Sequence, residues 1–328
     1  RIEVAGNTAL NGTVSLGTDG TYRFTTDVNR ALEGIDNAAI RLNLMGNLNG
    51  IAGRDETQFR RFGFAPSLAF GIGTKTRLNI DYYHMQEYDR PDYGLPWLYA
   101  SPAPVDRSNY YGFSKSDYLR TNVNIGTVRL EHDLSDNVTI RNQFRYANYG
   151  RSGRITEPQI IYTGVTPVTP LSALYVNRNM IAVTSTETFI QNQTDVTFRF
   201  KTGVIEHAVV AGVEIGQESS SPTRLTYSSV PTASLLFPNS SLPFIAPSRV
   251  NTQIKTTSNI YSAFVMDTLK FGEQWELTAG IRWDTFGTSY QQVIAPGVWL
   301  NRTDGMPSYR AALVYKPAPN GSVYFAYG

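Results

Sequence analysis

The feature that most constrains this chain is a period-two alternation of apolar and polar residues that recurs along nearly its whole length. Tyr22, Phe24, Thr26 and Val28 alternate with Arg23, Thr25, Asp27 and Asn29. Leu78, Ile80 and Tyr82 alternate with Arg77, Asn79 and Asp81. Trp275, Leu277, Ala279, Ile281 and Trp283 alternate with Glu276, Thr278, Arg282 and Asp284. Successive side chains of a strand point to opposite faces, so each segment reads as a strand with one apolar and one polar, often charged, face. The pattern predicts strands over 12–18, 20–32, 37–48, 57–71, 75–86, 119–134, 137–148, 187–202, 204–217, 253–271, 274–287, 305–316 and 321–328. Most exceed the roughly five or six residues of a globular strand. They reach the roughly nine to eleven that a tilted membrane strand requires.

The connections carry a second signal. Glu33-Gly34-Ile35-Asp36, Gly73-Thr74, Ser135-Asp136, Gly203, Gly272-Glu273 and Pro317-Ala318-Pro319-Asn320 read as short turns. They interleave with mostly long connections at 49–56, 87–118, 149–186, 218–252 and 288–304. Short turns at one end and long loops at the other are the layout of an outer-membrane barrel.

Composition is consistent with that layout. A membrane helix needs about 20 consecutive apolar residues. The richest stretch, His207 to Ile215, is interrupted by Glu214. Charged residues make up only 17% of the chain, while Tyr (20) and Phe (16) are abundant, as the aromatic girdles of a barrel would require. There is no cysteine, which excludes disulfides and thiolate zinc sites. A net charge of +2 argues against nucleic acid as a partner. Arg1-Ile2-Glu3-Val4 lacks the features of an export signal. Val323-Tyr324-Phe325-Ala326-Tyr327-Gly328 reads as a strand stopped midway. The chain is therefore expected to be an internal piece of a longer, exported protein.

Several stretches resemble TonB-dependent siderophore receptors, the catecholate branch most closely. Thr25-Thr26-Asp27-Val28-Asn29, followed by Ala38-Ala39-Ile40-Arg41-Leu42-Asn43, is similar to early barrel strands of that family. Phe64-Ala65-Pro66-Ser67-Leu68-Ala69-Phe70-Gly71-Ile72-Gly73-Thr74 is similar to the next strand and turn. Arg90-Pro91-Asp92-Tyr93-Gly94-Leu95-Pro96 and Val105-Asp106-Arg107-Ser108-Asn109-Tyr110-Tyr111-Gly112 resemble its third extracellular loop. Gly280-Ile281-Arg282-Trp283-Asp284 and Tyr309-Arg310-Ala311-Ala312-Leu313-Val314-Tyr315 fit later strands, in family order. The resemblance implies an all-β, antiparallel transmembrane β-barrel meander, incomplete at about 13 of 22 strands and with the plug domain absent. Residues 1–328 are then one partial barrel domain, with 1–11 at most the tail of the plug.

The resemblance also implies ferric siderophore uptake across the outer membrane of a Gram-negative bacterium. The partners would be the siderophore, outer-membrane lipid and the TonB complex, the last reached through an N-terminal region not seen here. It implies no resident cofactor, iron arriving already chelated, and no catalysis. Two other readings stay open: a passive porin-type channel and a surface all-β adhesin.

Among side chains, His84, His132 and His207 lack metal-ligand spacing. Gly71-Ile72-Gly73 lacks the third glycine and the helix of a phosphate loop. Ser219, Ser220 and Ser221 have no histidine or acid in a catalytic pattern. Arg41, Arg129, Arg141, Arg145, Arg282 and Asp284 share the polar parity and are expected to line the lumen, because arginine facing lipid near the midplane costs roughly 2–4 kcal/mol. They either solvate the lumen and pair with one another or a plug, or form a basic path for an anionic complex. Leu42, Leu130, Ile140, Ile281 and Trp283 are expected on the opposite face.

The loop at 87–118 is the leading ligand candidate, with Arg90, Tyr93, Trp97, Tyr99, Arg107, Tyr110, Tyr111 and Lys115. A ferric tris-catecholate is an aromatic trianion, which guanidinium groups and stacking rings suit. The alternative is that these rings pack inside a folded loop or belong to the outer girdle.

Overall fold

The computed structural model describes residues 9–294 and 297–328. Among the described residues seventeen strands run in chain order: β1 Ala9–Gly17, β2 Thr21–Ala31, β3 Ala39–Ile51, β4 Arg54–Phe70, β5 Thr76–Arg90, β6 Trp97–Leu98, β7 Ser101–Pro102, β8 Tyr118–Ser135, β9 Val138–Ile160, β10 Tyr175–Thr202, β11 Ile205–Ser220, β12 Thr223–Tyr227, β13 Ala233–Ser234, β14 Ser248–Phe271, β15 Trp275–Gln292, β16 Trp299–Ala318 and β17 Gly321–Tyr327. One sheet has the order β1-β2-β3-β4-β5-β8-β9-β10-β11-β14-β15-β16-β17, every neighbour antiparallel. All thirteen predicted strands lie on this path. Ala9–Asn11, read as a possible plug tail, pair with Asp27–Asn29 instead; residues 1–8 lie outside the described residues.

The ends of the strands differ from expectation at one end of the sheet. The segments 149–160 and 176–186, expected as loop, are paired strand. The connection expected at 49–56 shrinks to a tight turn around Ala52-Gly53, and that at 288–304 to residues 293–298. Backbone pairing continues there after the apolar-polar contrast has faded, because these turns of strand no longer separate two different solvents. At the other end the short turns stand as predicted. Thr202 pairs with Ile205 across Gly203-Val204, and Gly203 has a φ of 61°, the left-handed conformation this two-residue hairpin demands of glycine. Within the wall, Gly46 lies opposite Phe24, and a Cβ there would come within 2.1 Å of the ring.

Register makes the two faces explicit, since directly opposed residues share a face. One face is a ladder of ion pairs. Arg41 binds Asp27 through Nε at 2.9 Å and Nη2 at 2.6 Å. Arg77 reaches Glu131 at 3.3 Å and Asp133 at 2.5 Å. Arg141 binds Asp195 at 2.9 Å. The other face carries Leu130, Val213, Val265, Ile281, Trp283 and Tyr309, all exposed. Most buried wall residues are small or hydroxylated, such as Ala39, Ala69, Ala147, Thr127 and Ser262, while Asp89 and Asp195 are buried in ion pairs with Arg61 and Arg141. Among the described residues the wall thus holds no packed apolar core of its own.

Candidate functional site

An apolar core does exist, and it lies beyond the wall. Tyr111, Ile160, Leu174, Val176, Ala233, Leu235 and Ala103 form one buried cluster, with Leu95, Leu98, Val105, Val165 and Leu171 packed against it. These residues come from three connections, 91–117, 161–174 and 221–247, and from the upper ends of β9 and β10. The three loops therefore fold together as a cap. β13 pairs with the start of β10 and β12 with β10 and β14, which ties the third loop to the wall. A single 3₁₀ turn, Leu171–Ala173, closes the second loop.

The cap is seated on β10, whose residues Tyr175 to Ala182 alternate exposed and buried without a break. The buried members are Val176, Arg178, Met180 and Ala182. Their parity is that of Ile190 and Phe198, exposed lower in the same strand. The cap thus covers, above, the side of the sheet that the wall leaves bare below.

Arg178 is the largest fully buried side chain, 1% exposed. Its Nη2 donates to the Asn239 carbonyl at 2.7 Å and its guanidinium lies 4.4 Å from the Phe113 ring centre. Its Nε and Nη1, and Oδ1 of nearby Asp117, have no protein partner among the described residues. The other Asp117 oxygen accepts from the Tyr110 hydroxyl and from the backbone N–H groups of Phe113 and Thr156, each at 3.2 Å. Burial pushes the Asp117 carboxyl up, against hydrogen bonds from Thr156 and Phe113 that pull it down. Burial also pushes the Tyr110 phenol well above the usual tyrosine range, and the Asp117 charge acts in the same direction. In both groups desolvation outweighs pairing.

The structure divides the eight predicted loop residues. Tyr110 and Tyr111 are in the core, and the Tyr111 hydroxyl donates to the Leu235 carbonyl at 2.6 Å. Arg90 is turned to the wall, where Nη1 meets the Glu56 carboxylate at 2.8 Å and the Glu56 carbonyl at 3.1 Å. Tyr93, Trp97, Tyr99, Arg107 and Lys115 are exposed. Tyr99 sits at the tip of the β6–β7 hairpin with a φ of 56°, its N–H on the Tyr162 hydroxyl at 2.9 Å. The Arg107 carbonyl accepts from Arg54, which also binds Asp92 through Nε at 2.7 Å.

The residues expected along the lumen all have polar partners on the charged face. Arg129 reaches Glu131 at 3.6 Å, and Arg145 donates to Thr127 at 3.2 Å. Arg282 bridges Asp284 at 2.8 Å and Glu214 at 3.3 Å. The histidines are dispersed: His84 meets Asn124, His132 meets Thr76 and His207 meets Asp267.

The antiparallel meander, its charged and apolar faces and its loops gathered at one end are matched by known proteins. A family model described as "TonB dependent receptor-like, beta-barrel" matches residues 63–328. The chain belongs to that family. It is 29% identical to the catecholate siderophore receptor Fiu of Escherichia coli K12, over 98% of this chain and 47% of that receptor. It is 34% identical to the probable TonB-dependent receptor BfrD of Bordetella pertussis, over 95% of this chain and 45% of that protein. The crystal structure of the ferric-catecholate import receptor Fiu in its open form superposes with a TM-score of 0.86 at 28% identity, covering 98% of this chain and 54% of the other. The chain spans about half the length of the curated relatives it matches. Membership places it in the outer membrane as a strand-spanning barrel wall.

Sequence reasoning missed Arg178, Asp117, Arg54 and Asp92. Arg178 had a signal, the alternation Val176-x-Arg178-x-Met180-x-Ala182, but its charge occupies the apolar parity and hides the pattern. The others pair over separations such as Arg54 to Asp92, which no local period reports.

Proposed function

We propose that this chain is the main part of the barrel of a TonB-dependent outer-membrane receptor that imports a ferric catecholate siderophore. What supports the reading is its 29% sequence identity to a catecholate siderophore receptor over 98% of this chain. The ligand would meet the cap first. Tyr93, Trp97 and Tyr99 offer exposed rings, and Arg107 and Lys115 exposed cations, to an aromatic trianion. Arg90, Tyr110 and Tyr111 would shape the loop that presents them. Arg41, Arg129, Arg141, Arg145, Arg282 and Asp284 would line the lumen, where paired charge stays hydrated instead of facing lipid. Coupling to a TonB complex would draw on parts of the protein beyond this chain. No covalent bond changes, no resident cofactor is needed, and the protein acts as a transporter and not as an enzyme; iron is cargo.

The test uses the full-length receptor in detergent and intrinsic-fluorescence titration with a ferric catecholate. Arg107→Ala should weaken binding by roughly 1.5–3 kcal/mol if its contact is a buried, charge-assisted one. Trp97→Ala should weaken it too, while a ferric hydroxamate binds neither protein tightly. Equal affinity for both siderophore classes would overturn the catecholate assignment.

A further inference from the structure

The cap core encloses two opposite charges that share their surroundings without a direct bond. Arg178 enters from β10 and Asp117 from the end of the first loop, and they are 1% and 5% exposed. Phe113 serves both: its N–H donates to Asp117, and its ring lies 4.4 Å from the Arg178 guanidinium. Thr156, whose N–H also holds Asp117, is opposed to Met180, two residues along β10 from Arg178. The Asp117 charge acts on Arg178 through this shared core.

Both side chains keep unspent bonding capacity. Among the described residues, Nε and Nη1 of Arg178 and Oδ1 of Asp117 have no protein partner. Burying such groups without a partner costs free energy at each of them. A swing of Arg178 onto Asp117 would give up the Asn239 carbonyl, held by Nη2 at 2.7 Å, and the Phe113 ring. Asp117 is equally fixed, by the Tyr110 hydroxyl and the N–H groups of Phe113 and Thr156 on its other oxygen. What completes both is a group that accepts from an N–H and donates to a carboxylate oxygen. Water is the smallest group that does so. An anion would satisfy the guanidinium but repel the carboxylate beside it.

The two charges also belong to different parts of the cap. Asp117 closes the first loop. Arg178 holds the third loop at Asn239, and the next residue, Ser240, takes part in a second polar tie. Its carbonyl accepts from the Ser114 N–H at 2.9 Å and hydroxyl at 3.2 Å, and its own hydroxyl reaches Glu56 on β4 at 3.3 Å.

We propose that Arg178 and Asp117 form one ion pair bridged by enclosed water, and that this bridge sets the first loop, with its exposed Trp97 and Arg107, against the third. The proposal holds whichever ligand the loop receives.

The first experiment is a double-mutant cycle in the full-length receptor in detergent, read by hydrogen exchange, with amides of β14 and β15 as the folded reference. Asp117→Asn keeps the shape and strands the Arg178 charge; Arg178→Met keeps the length and strands the Asp117 charge. Each should speed exchange of 91–117 and 221–247 by at least about a hundredfold, because removing one partner of a buried pair leaves the other uncompensated. The double variant should exchange more slowly than either single one, since no charge is left stranded. A double variant faster than both single ones overturns the pair, as do single variants that exchange like the wild type.

The second experiment needs no variant. In crystals of the unsubstituted receptor soaked in bromide, a water should lie within hydrogen-bond reach of Arg178 Nε or Nη1 and of Asp117 Oδ1, with no bromine anomalous signal there. Bromine at Arg178 would make this an anion site and overturn the bridge. A direct Arg178–Asp117 contact, or no density between them, would overturn it as well.

Discussion

The wall and the cap are built from one chain by opposite rules. In the wall the buried positions are mostly Ala, Ser and Thr, with Asp89 and Asp195 held in ion pairs, and the large apolar side chains of the outer face stay exposed. Its cohesion is the backbone ladder, which a lipid medium makes obligatory because unpaired amides there cost several kcal/mol each. In the cap the order reverses. Tyr111, Phe113, Leu235 and Val176 are almost completely buried, and a buried arginine and aspartate lie among them. The cap is organised like a small water-soluble domain, with an apolar core covered by polar loops. The comparison teaches that stability in this molecule is regional: the same substitution has different consequences according to which medium its site faces.

The sharpest way to separate the regions is to empty the cap core. Phe113 meets Phe244 edge-on at 5.1 Å and supports Arg178. Phe113→Ala should destabilise the cap by about 3–5 kcal/mol, the range for a buried aromatic truncated in a core. The measurement is hydrogen exchange on the full-length receptor in detergent. Amides of 91–117, 161–174 and 221–247 should lose protection, while those of β14 and β15 keep theirs. Loss of protection throughout the wall would mean that the two regions do not behave independently.

The converse substitution puts charge on the lipid-facing side. Ile281 is 46% exposed in the protein and lies near the middle of the apolar band. Ile281→Arg should cost roughly 2–4 kcal/mol in equilibrium folding into vesicles. Val168→Arg, in the exposed part of the second loop, should stay within about 0.5 kcal/mol. If the two variants behaved alike, the apolar face would not be the lipid face.

The same contrast of media explains what the sequence revealed and what it hid. In the wall each strand separates lipid from a polar space, so parity and polarity coincide, and all thirteen wall strands were legible. Above the membrane both sides of β9 and β10 meet water or folded loop. Polarity there no longer tracks parity, so 149–160 and 176–186 read as loop. The loop 87–118 could be singled out by its tyrosines, tryptophan and arginines. Which of them face outward could not, because Tyr110 and Tyr111 differ from Tyr93 and Tyr99 only in partners supplied from far along the chain, such as Leu235.

The smallest expected effect concerns pH. The phenols of Tyr110 and Tyr111 are both raised above the ordinary tyrosine value by burial. A group whose folded pKa lies above its unfolded one contributes stability that is fully present below the unfolded pKa and is lost as pH rises through the folded one. For tyrosine the unfolded value is about 10. The cap should therefore be indifferent to these phenols at neutral pH and begin to loosen above about pH 10, as the unfolded cap gains by ionising. The wall should follow only later, since its cohesion is the backbone ladder. Limited proteolysis between pH 8 and 11 should show cleavage in the three cap loops first. Tyr110→Phe/Tyr111→Phe should flatten that dependence, at the cost of two hydrogen bonds worth about 0.5–1.5 kcal/mol each at neutral pH. Asp117 keeps its two backbone donors in that variant, so its carboxylate is not stranded. A cap whose cleavage above pH 10 is unchanged by removing both hydroxyls would show that something other than these buried phenols governs its opening.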